Sequence, residues 1–175
     1  SSPGDTILVP NPSYPIHAFG FIIAGASLRY LPTASSGPEF FERLKRAVEY
    51  SVPKPVAIVI NYPSNPTAEV VDLDFYGQII DFCRHHGIYV LSDLAYAEVY
   101  FDGNPPPSVL QVPGAKDIAV EFTSMSKTYY VLVRQCTLNK AIRFSVHVFS
   151  YTRVCVRVFV YAFSYTRFRV RVFVY

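Results

Sequence analysis

Acidic residues, glycine and proline all vanish from this chain of 175 residues after Tyr129. All 13 Asp and Glu, all 8 glycines and all 14 prolines lie within the first 129 positions. Residues 1–129 hold eight Lys and Arg, a balance of −5, whereas residues 130–175 hold eight and no acid, a balance of +8. The overall charge of +3 therefore hides two unlike halves, each needing its own explanation. Cysteine is scarce. Cys83, Cys136 and Cys155 are an odd set without C-x-x-C spacing, which argues against a disulfide framework or a zinc site; a reducing, cytoplasmic setting is expected. Long apolar runs are missing too. The stretch Ala18 to Ala26 falls short of the ~20 residues a bilayer span needs, no signal peptide is visible, and no membrane partner is expected. Gly-rich phosphate loops, metal-ligand spacing and a Ser-His-Asp arrangement are also lacking. The chain opens at Ser1 rather than Met, so a missing or processed N-terminus is expected.

What is present suits one domain with a real core. Hydrophobic residues make up 51% of the chain and aromatics 16%, too apolar for a disordered segment. Ile7-Leu8-Val9 reads as a short buried strand, closed by Pro10, Pro12 and Pro15. An apolar helical stretch follows over 14–26, then a second strand at Leu28 to Leu31. Pro38 suits a first helical turn, with Glu39 and Glu42 near its positive end, and Phe41, Leu44 and Val48 form one apolar face. Val56 to Ile60 has the β-branched character of a strand covered on both sides. The next helix should open at Asp72 as N-cap and close at Gly87, burying Phe75, Ile79, Phe82 and Cys83. Ile88 to Leu91 and Ile118 to Val120 complete the strands. This alternation predicts an α/β fold, a mostly parallel sheet flanked by helices with right-handed crossovers.

The chemistry lies in three segments: Asn65-Pro66-Thr67, Asp93-Leu94-Ala95-Tyr96 and Ser124-Met125-Ser126-Lys127-Thr128-Tyr129. Asn65, Asp93 and Lys127 each fall past the carboxyl end of a predicted strand, the rim where open α/β sheets bind ligands. Each also has a blander explanation. Most lysines are solvated, Asn before Pro is a turn former, and Asp93 could be a strand-end cap. Tyr beside Pro, as at Tyr14, is common in loops. His17, His85 and His86 carry no catalytic expectation; the last two suit the end of a helix.

Taken in order, these segments resemble the class I/II aminotransferases of fold type I, in particular the alanine and LL-diaminopimelate aminotransferase branch. Gly4-Asp5 through Tyr14-Pro15 and Asn61 to Thr67 carry the likeness, with Ser92 to Tyr96 and Glu121 to Thr128. It covers roughly residues 4–129, so residues 1–129 are expected to be part of a large, cofactor-binding domain. The resemblance implies pyridoxal 5'-phosphate as cofactor, an amino acid and a 2-oxo acid as substrates, and a homodimer. It makes Lys127 the Schiff-base lysine and proton shuttle, and Asp93 the partner of the pyridine nitrogen. Asn65 and Tyr96 become donors to the phenolic oxygen, Tyr14 the stacking aromatic and Ser124 a phosphate ligand. Unit charges at ~3 Å and an effective ε of ~20 attract by about 5 kcal/mol before desolvation, enough to keep that ring protonated.

Departures are equally plain. Ala68 stands where the wider family usually has Gly. After Tyr129 the likeness stops: Gln135 occupies the place of the phosphate-clamping arginine, and the family's upstream phosphate segment and small domain have no counterpart. Transamination is therefore expected to be impaired or lost, with a lyase or decarboxylase sharing the same cofactor site as an alternative. The tail, residues 130–175, repeats FSYTRVCVRVFVY (149–161) as FSYTRFRVRVFVY (163–175), a period of 14. Its alternation says β-strand, with arginines alone guarding against aggregation. Out-of-frame reading of repetitive DNA accounts for it better than selected coding sequence; the rival is a basic β-ribbon binding nucleic acid or an anionic surface.

Overall fold

The structure, a computed structural model, describes residues 2–32, 37–124 and 127, together with the backbone of 144–148, 156–161 and 169–174. The chain divides into two compact units, Ser1–Tyr130 and Val131–Tyr175.

In the first unit, the strands are β1 (Thr6–Asn11), β2 (Ser27–Pro32), β3 (Pro55–Asn61), β4 (Tyr89–Asp93) and β5 (Ala119–Phe122). They form one sheet in the order β2-β1-β3-β4-β5, parallel throughout. Three helices, α1 (Ile16–Ile23), α2 (Pro38–Glu49) and α3 (Leu73–His86), connect β1 to β2, β2 to β3 and β3 to β4. The expected α/β class and parallel sheet are thus observed. The β4–β5 connection departs from the alternation. It has no α-helix, only 3-10 turns at Val109–Gln111 and Ala115–Asp117, because Pro105, Pro106 and Pro107 deny a helix its amide donors.

Strand alternation sorts the core onto two faces. Leu8, Ile58, Ile60 and Val90 pack with Phe40 and Leu44 of α2 and Phe75, Ile79 and Cys83 of α3. Ile7, Val9, Ala57 and Val59 face the other way, against Ala18 of α1. Helix α1 is lightly docked. His17 and Ala18 are its buried residues, while Phe19 is 60% and Ile23 85% exposed.

The bounds of α3 follow its caps. The Asp72 carboxylate accepts the Phe75 N–H at 2.8 Å, and Gly87 closes α3 at φ 67°, a left-handed conformation cheap for glycine. Two buried stripes differ from expectation. In α2 it is Phe40, not Phe41, that is fully buried, and Phe41 packs against the core's edge. In α3 the stripe takes in Tyr76 and Ile80, with Phe82 only partly covered; a helix lying flat on a sheet covers more than its central row.

In the second unit, β6 (Phe144–Val148), β7 (Val156–Tyr161) and β8 (Arg169–Val174) form an antiparallel sheet in chain order.

Candidate active site

The strand order reverses direction between β1 and β3, and the carboxyl ends of β1, β3, β4 and β5 share one rim. Such a switch point opens a crevice in parallel sheets. Asp93 is the last residue of β4 rather than lying beyond it, and Asn65 and Lys127 follow β3 and β5 in the loops beyond their ends.

Asp93 is held from three directions. His17 Nε2 lies 2.8 Å from its Oδ2, and the Ala95 N–H donates to Oδ1 at 3.1 Å. Its main-chain carbonyl accepts Asn61 Nδ2–H at 2.8 Å. The carboxylate stays 26% accessible, whereas His17 is 5% accessible. A buried imidazole donor to a carboxylate is a charge-assisted hydrogen bond, roughly twice as strong as a neutral one. His17 Nδ1 is buried with no hydrogen-bond partner among the described residues.

Asn61 ends β3 directly opposite Asp93 in register. Its Nδ2 holds β4, while its Oδ1 accepts the Asn65 N–H at 3.0 Å, so one buried amide fixes both candidate residues. Asn65 Nδ2 in turn reaches the Tyr96 hydroxyl at 3.3 Å. The Lys127 ammonium lies 5.8 Å from the centroid of the Tyr96 ring, at the outer limit of a cation–π contact. Lys127 N–H donates to the Ser124 carbonyl at 3.1 Å in the turn after β5. Ser124 is half-buried. Tyr14 is half exposed and meets the His17 ring edge-on at 6.1 Å.

Asn65 and Tyr96 also line a cleft of about 620 Å³, together with the polar Ser64 and Asn104 and mostly apolar groups such as Pro66, Val70 and Phe101. That volume lies within the range of ~300–1,000 Å³ usual for small-molecule sites. Below the rim, Glu121 of β5 accepts from Ser92 Oγ at 3.2 Å, Ser108 Oγ at 2.6 Å and the Val109 N–H at 3.1 Å, pinning the long β4–β5 loop to the sheet. Burial, with the charge of Glu69 second, pushes the Tyr62 phenol far up; burial and then Glu121 do the same to Tyr76. Neither phenol is a proton donor near neutrality.

The structure therefore joins Asp93, Asn65 and Tyr96 through hydrogen bonds and sets Lys127 beside Tyr96. Tyr14 joins them through His17. Two contributors were not expected from the sequence: His17 and Asn61. Ala68 adopts φ 57°, the left-handed region that glycine occupies without strain, which explains why glycine suits this place. Gln135 lies outside the described residues. Among the described residues no group of His, Cys, Asp and Glu could hold a metal ion, and no helix is long and apolar enough to cross a membrane.

The model of the aminotransferase class I and II family matches residues 1–133. AatC of Rhizobium meliloti (strain 1021), named an aminotransferase, is 60% identical over 129 residues, covering 74% of this chain and 32% of that protein. The glutamate-pyruvate aminotransferase AlaC of Escherichia coli (strain K12) is 49% identical over 126 residues, covering 72% and 30%. The substrate-bound structure of BacF from Bacillus subtilis superposes with a TM-score of 0.66 at 35% identity, covering 75% of this chain and 33% of that one. This chain spans about a third of the length of these relatives. It belongs to the class I and II aminotransferase family, whose members depend on pyridoxal phosphate.

Proposed function

We propose, for this member of the class I and II aminotransferases, that the rim around Asp93 is the ring-binding side of a pyridoxal-phosphate site serving transamination between an amino acid and a 2-oxo acid. What supports the proposal is the hydrogen-bonded set Asp93–Asn61–Asn65–Tyr96, with Lys127 beside it. The donor chemistry fits the cofactor. Each Asp93 oxygen takes one donor among the described residues, and a carboxylate oxygen can accept a second, here a protonated pyridine nitrogen. The Asn65 amide and the Tyr96 hydroxyl are neighbouring donors suited to one phenolic oxygen. Ser124 offers a hydroxyl to phosphate, and the half-exposed ring of Tyr14 offers a face for stacking.

When bound, the cofactor supplies an electron-accepting ring for the pair left at the substrate Cα. The remaining work falls to this chain. Asp93 would hold the protonated pyridine nitrogen, and His17 and Ala95 hold that carboxylate in one orientation. Lys127 Nζ would be the base that takes and holds the proton of the substrate Cα. Tyr96 and Asn65 would donate to the ring's oxygen and so orient the cofactor. Weak cofactor retention is expected, because the sequence has Gln135 at the position that the family resemblance gives to a cation. A cytoplasmic setting agrees with the free thiol of Cys83.

Borohydride treatment in the presence of pyridoxal phosphate, followed by peptide mapping, tests the assignment. A pyridoxyl mass on the peptide holding Lys127, lost in Lys127→Ala and weakened in Asp93→Asn, is expected. Labelling spread over surface lysines, or unchanged in Asp93→Asn, would refute it. The likeness to a glutamate-pyruvate aminotransferase makes alanine with 2-oxoglutarate the first pair to assay. Product analysis separates transamination from carbon dioxide release or elimination.

A further inference from the structure

The arginine-rich repeat lies outside the proposed site, and the family match ends at residue 133. Strands β7 and β8 come from its two copies, 14 residues apart. They run antiparallel with Val158 opposite Val172. These valines hold the same place in their repeats, so the two strands are related by a local twofold axis through that pair. Around it, Arg157 is opposite Phe173 and Phe159 is opposite Arg171. On each side an arginine position stands opposite a phenylalanine position, and no arginine position of β7 stands opposite one of β8. Opposed positions of favourable type stabilise a strand pair, whereas like charges directly opposed destabilise it.

The same sequence also accepts a partner on its other edge, because Val158 stands opposite Val146 of β6. Strand β8 repeats the β7 sequence but has one neighbour only among the described residues. An unpaired β-branched edge without proline, glycine or acid invites a further strand.

We propose that the edge of β8 without a neighbour among the described residues takes β8 of a second copy of this chain, antiparallel, with Val172 opposite the partner's Val172. In that register the Arg171 position stands opposite the partner's Phe173, and the Phe173 position opposite the partner's Arg171. That is the complementarity already present between β7 and β8, and the symmetry makes the interface self-complementary. The net positive charge of each tail opposes the union, so added salt strengthens the dimer by screening. Nucleic-acid bridging has the opposite dependence, weakening as salt releases phosphate contacts.

Single-cysteine substitutions in the full chain read the register. Residues directly opposite have Cα atoms ~4.5–5.5 Å apart, inside the range a disulfide spans, whereas diagonal neighbours at ~7–8 Å are too far. Val172→Cys should therefore cross-link to its own copy under mild oxidation, about tenfold more than Arg171→Cys alone. Mixing Arg171→Cys with Phe173→Cys should restore the bond. Peptide mapping distinguishes these from links through Cys136 or Cys155. Sedimentation of the unmodified chain gives an independent reading, a dimer that tightens with salt and survives nuclease. A monomer at every concentration, equal self-linking at 171 and 172, or a dimer dissolved by nuclease or by salt would overturn the proposal.

Discussion

His17→Phe separates a structural histidine from one that serves Asp93. The imidazole gives Asp93 Oδ2 a hydrogen bond of 2.8 Å from a buried position, and losing a bond to a charged acceptor costs about 1.5–3 kcal/mol. The same ring buries Nδ1 without a partner among the described residues, and removing an unsatisfied polar atom recovers about 1–3 kcal/mol. Phenylalanine fills similar space, so the two effects nearly cancel and stability should change by no more than about 1 kcal/mol. His17→Ala adds an unfilled cavity and should cost about 2–5 kcal/mol. Asp93, by contrast, loses one of its two side-chain donors in either variant. Freeing its rotamer should weaken pyridoxal-phosphate binding by about 1 kcal/mol, roughly fivefold. Urea titrations followed by far-ultraviolet circular dichroism suit a chain without tryptophan, and absorbance titration with the cofactor gives the affinity. If His17→Phe unfolds as readily as His17→Ala while cofactor affinity stays at the unmodified value, His17 is packing alone and the Asp93 reasoning fails.

Ala68→Gly should stabilise the chain by about 0.5–1 kcal/mol, since relief of the left-handed strain exceeds the entropy glycine adds to the unfolded state; a lower urea midpoint would contradict this. Burial pushes the Cys83 thiol up from 9.0 to about 12. The folded state keeps a proton that the unfolded chain releases, so its contribution is complete below pH 9 and is lost as pH rises towards 12. Urea midpoints should fall over that window and fall less steeply in Cys83→Ala. Glu121→Ala strips the acceptor from the buried Ser92 hydroxyl and from the Val109 amide and should cost about 2–4 kcal/mol, with faster proteolysis of the β4–β5 loop as a second measure. Asp72→Ala removes the α3 cap and should cost about 1 kcal/mol, read as a shift in thermal midpoint.

Local pattern was enough for every element of the first unit whose stability is decided nearby. The β-branched run at Val56 to Ile60 lies in β3, and Asp72 and Gly87 bound α3, because strand covering and helix capping act within a few residues. Phe40 and Phe41 show where that reach ends. Two adjacent rings fit a helical stripe equally well, and the sheet position relative to α2 decides which one is buried. The site divides along the same line. Asp93, Asn65, Tyr96 and Lys127 stand in ordered motifs, so their types and sequence could be read directly. His17 and Asn61 could not. His17 is a lone imidazole in an apolar stretch, 76 positions from Asp93, and nothing near it announces a carboxylate. The two meet because β1 and β4 flank β3, which places the start of α1 within reach of the end of β4. Asn61 needs even finer knowledge, the register that sets it opposite Asp93; one residue of slip would turn its amide to the other face. Strand order and register arise from crossovers and packing over the whole unit. For residues that hold others in position across several strands, even one inside a motif stretch such as Asn61, the positioning role is therefore what motifs leave invisible.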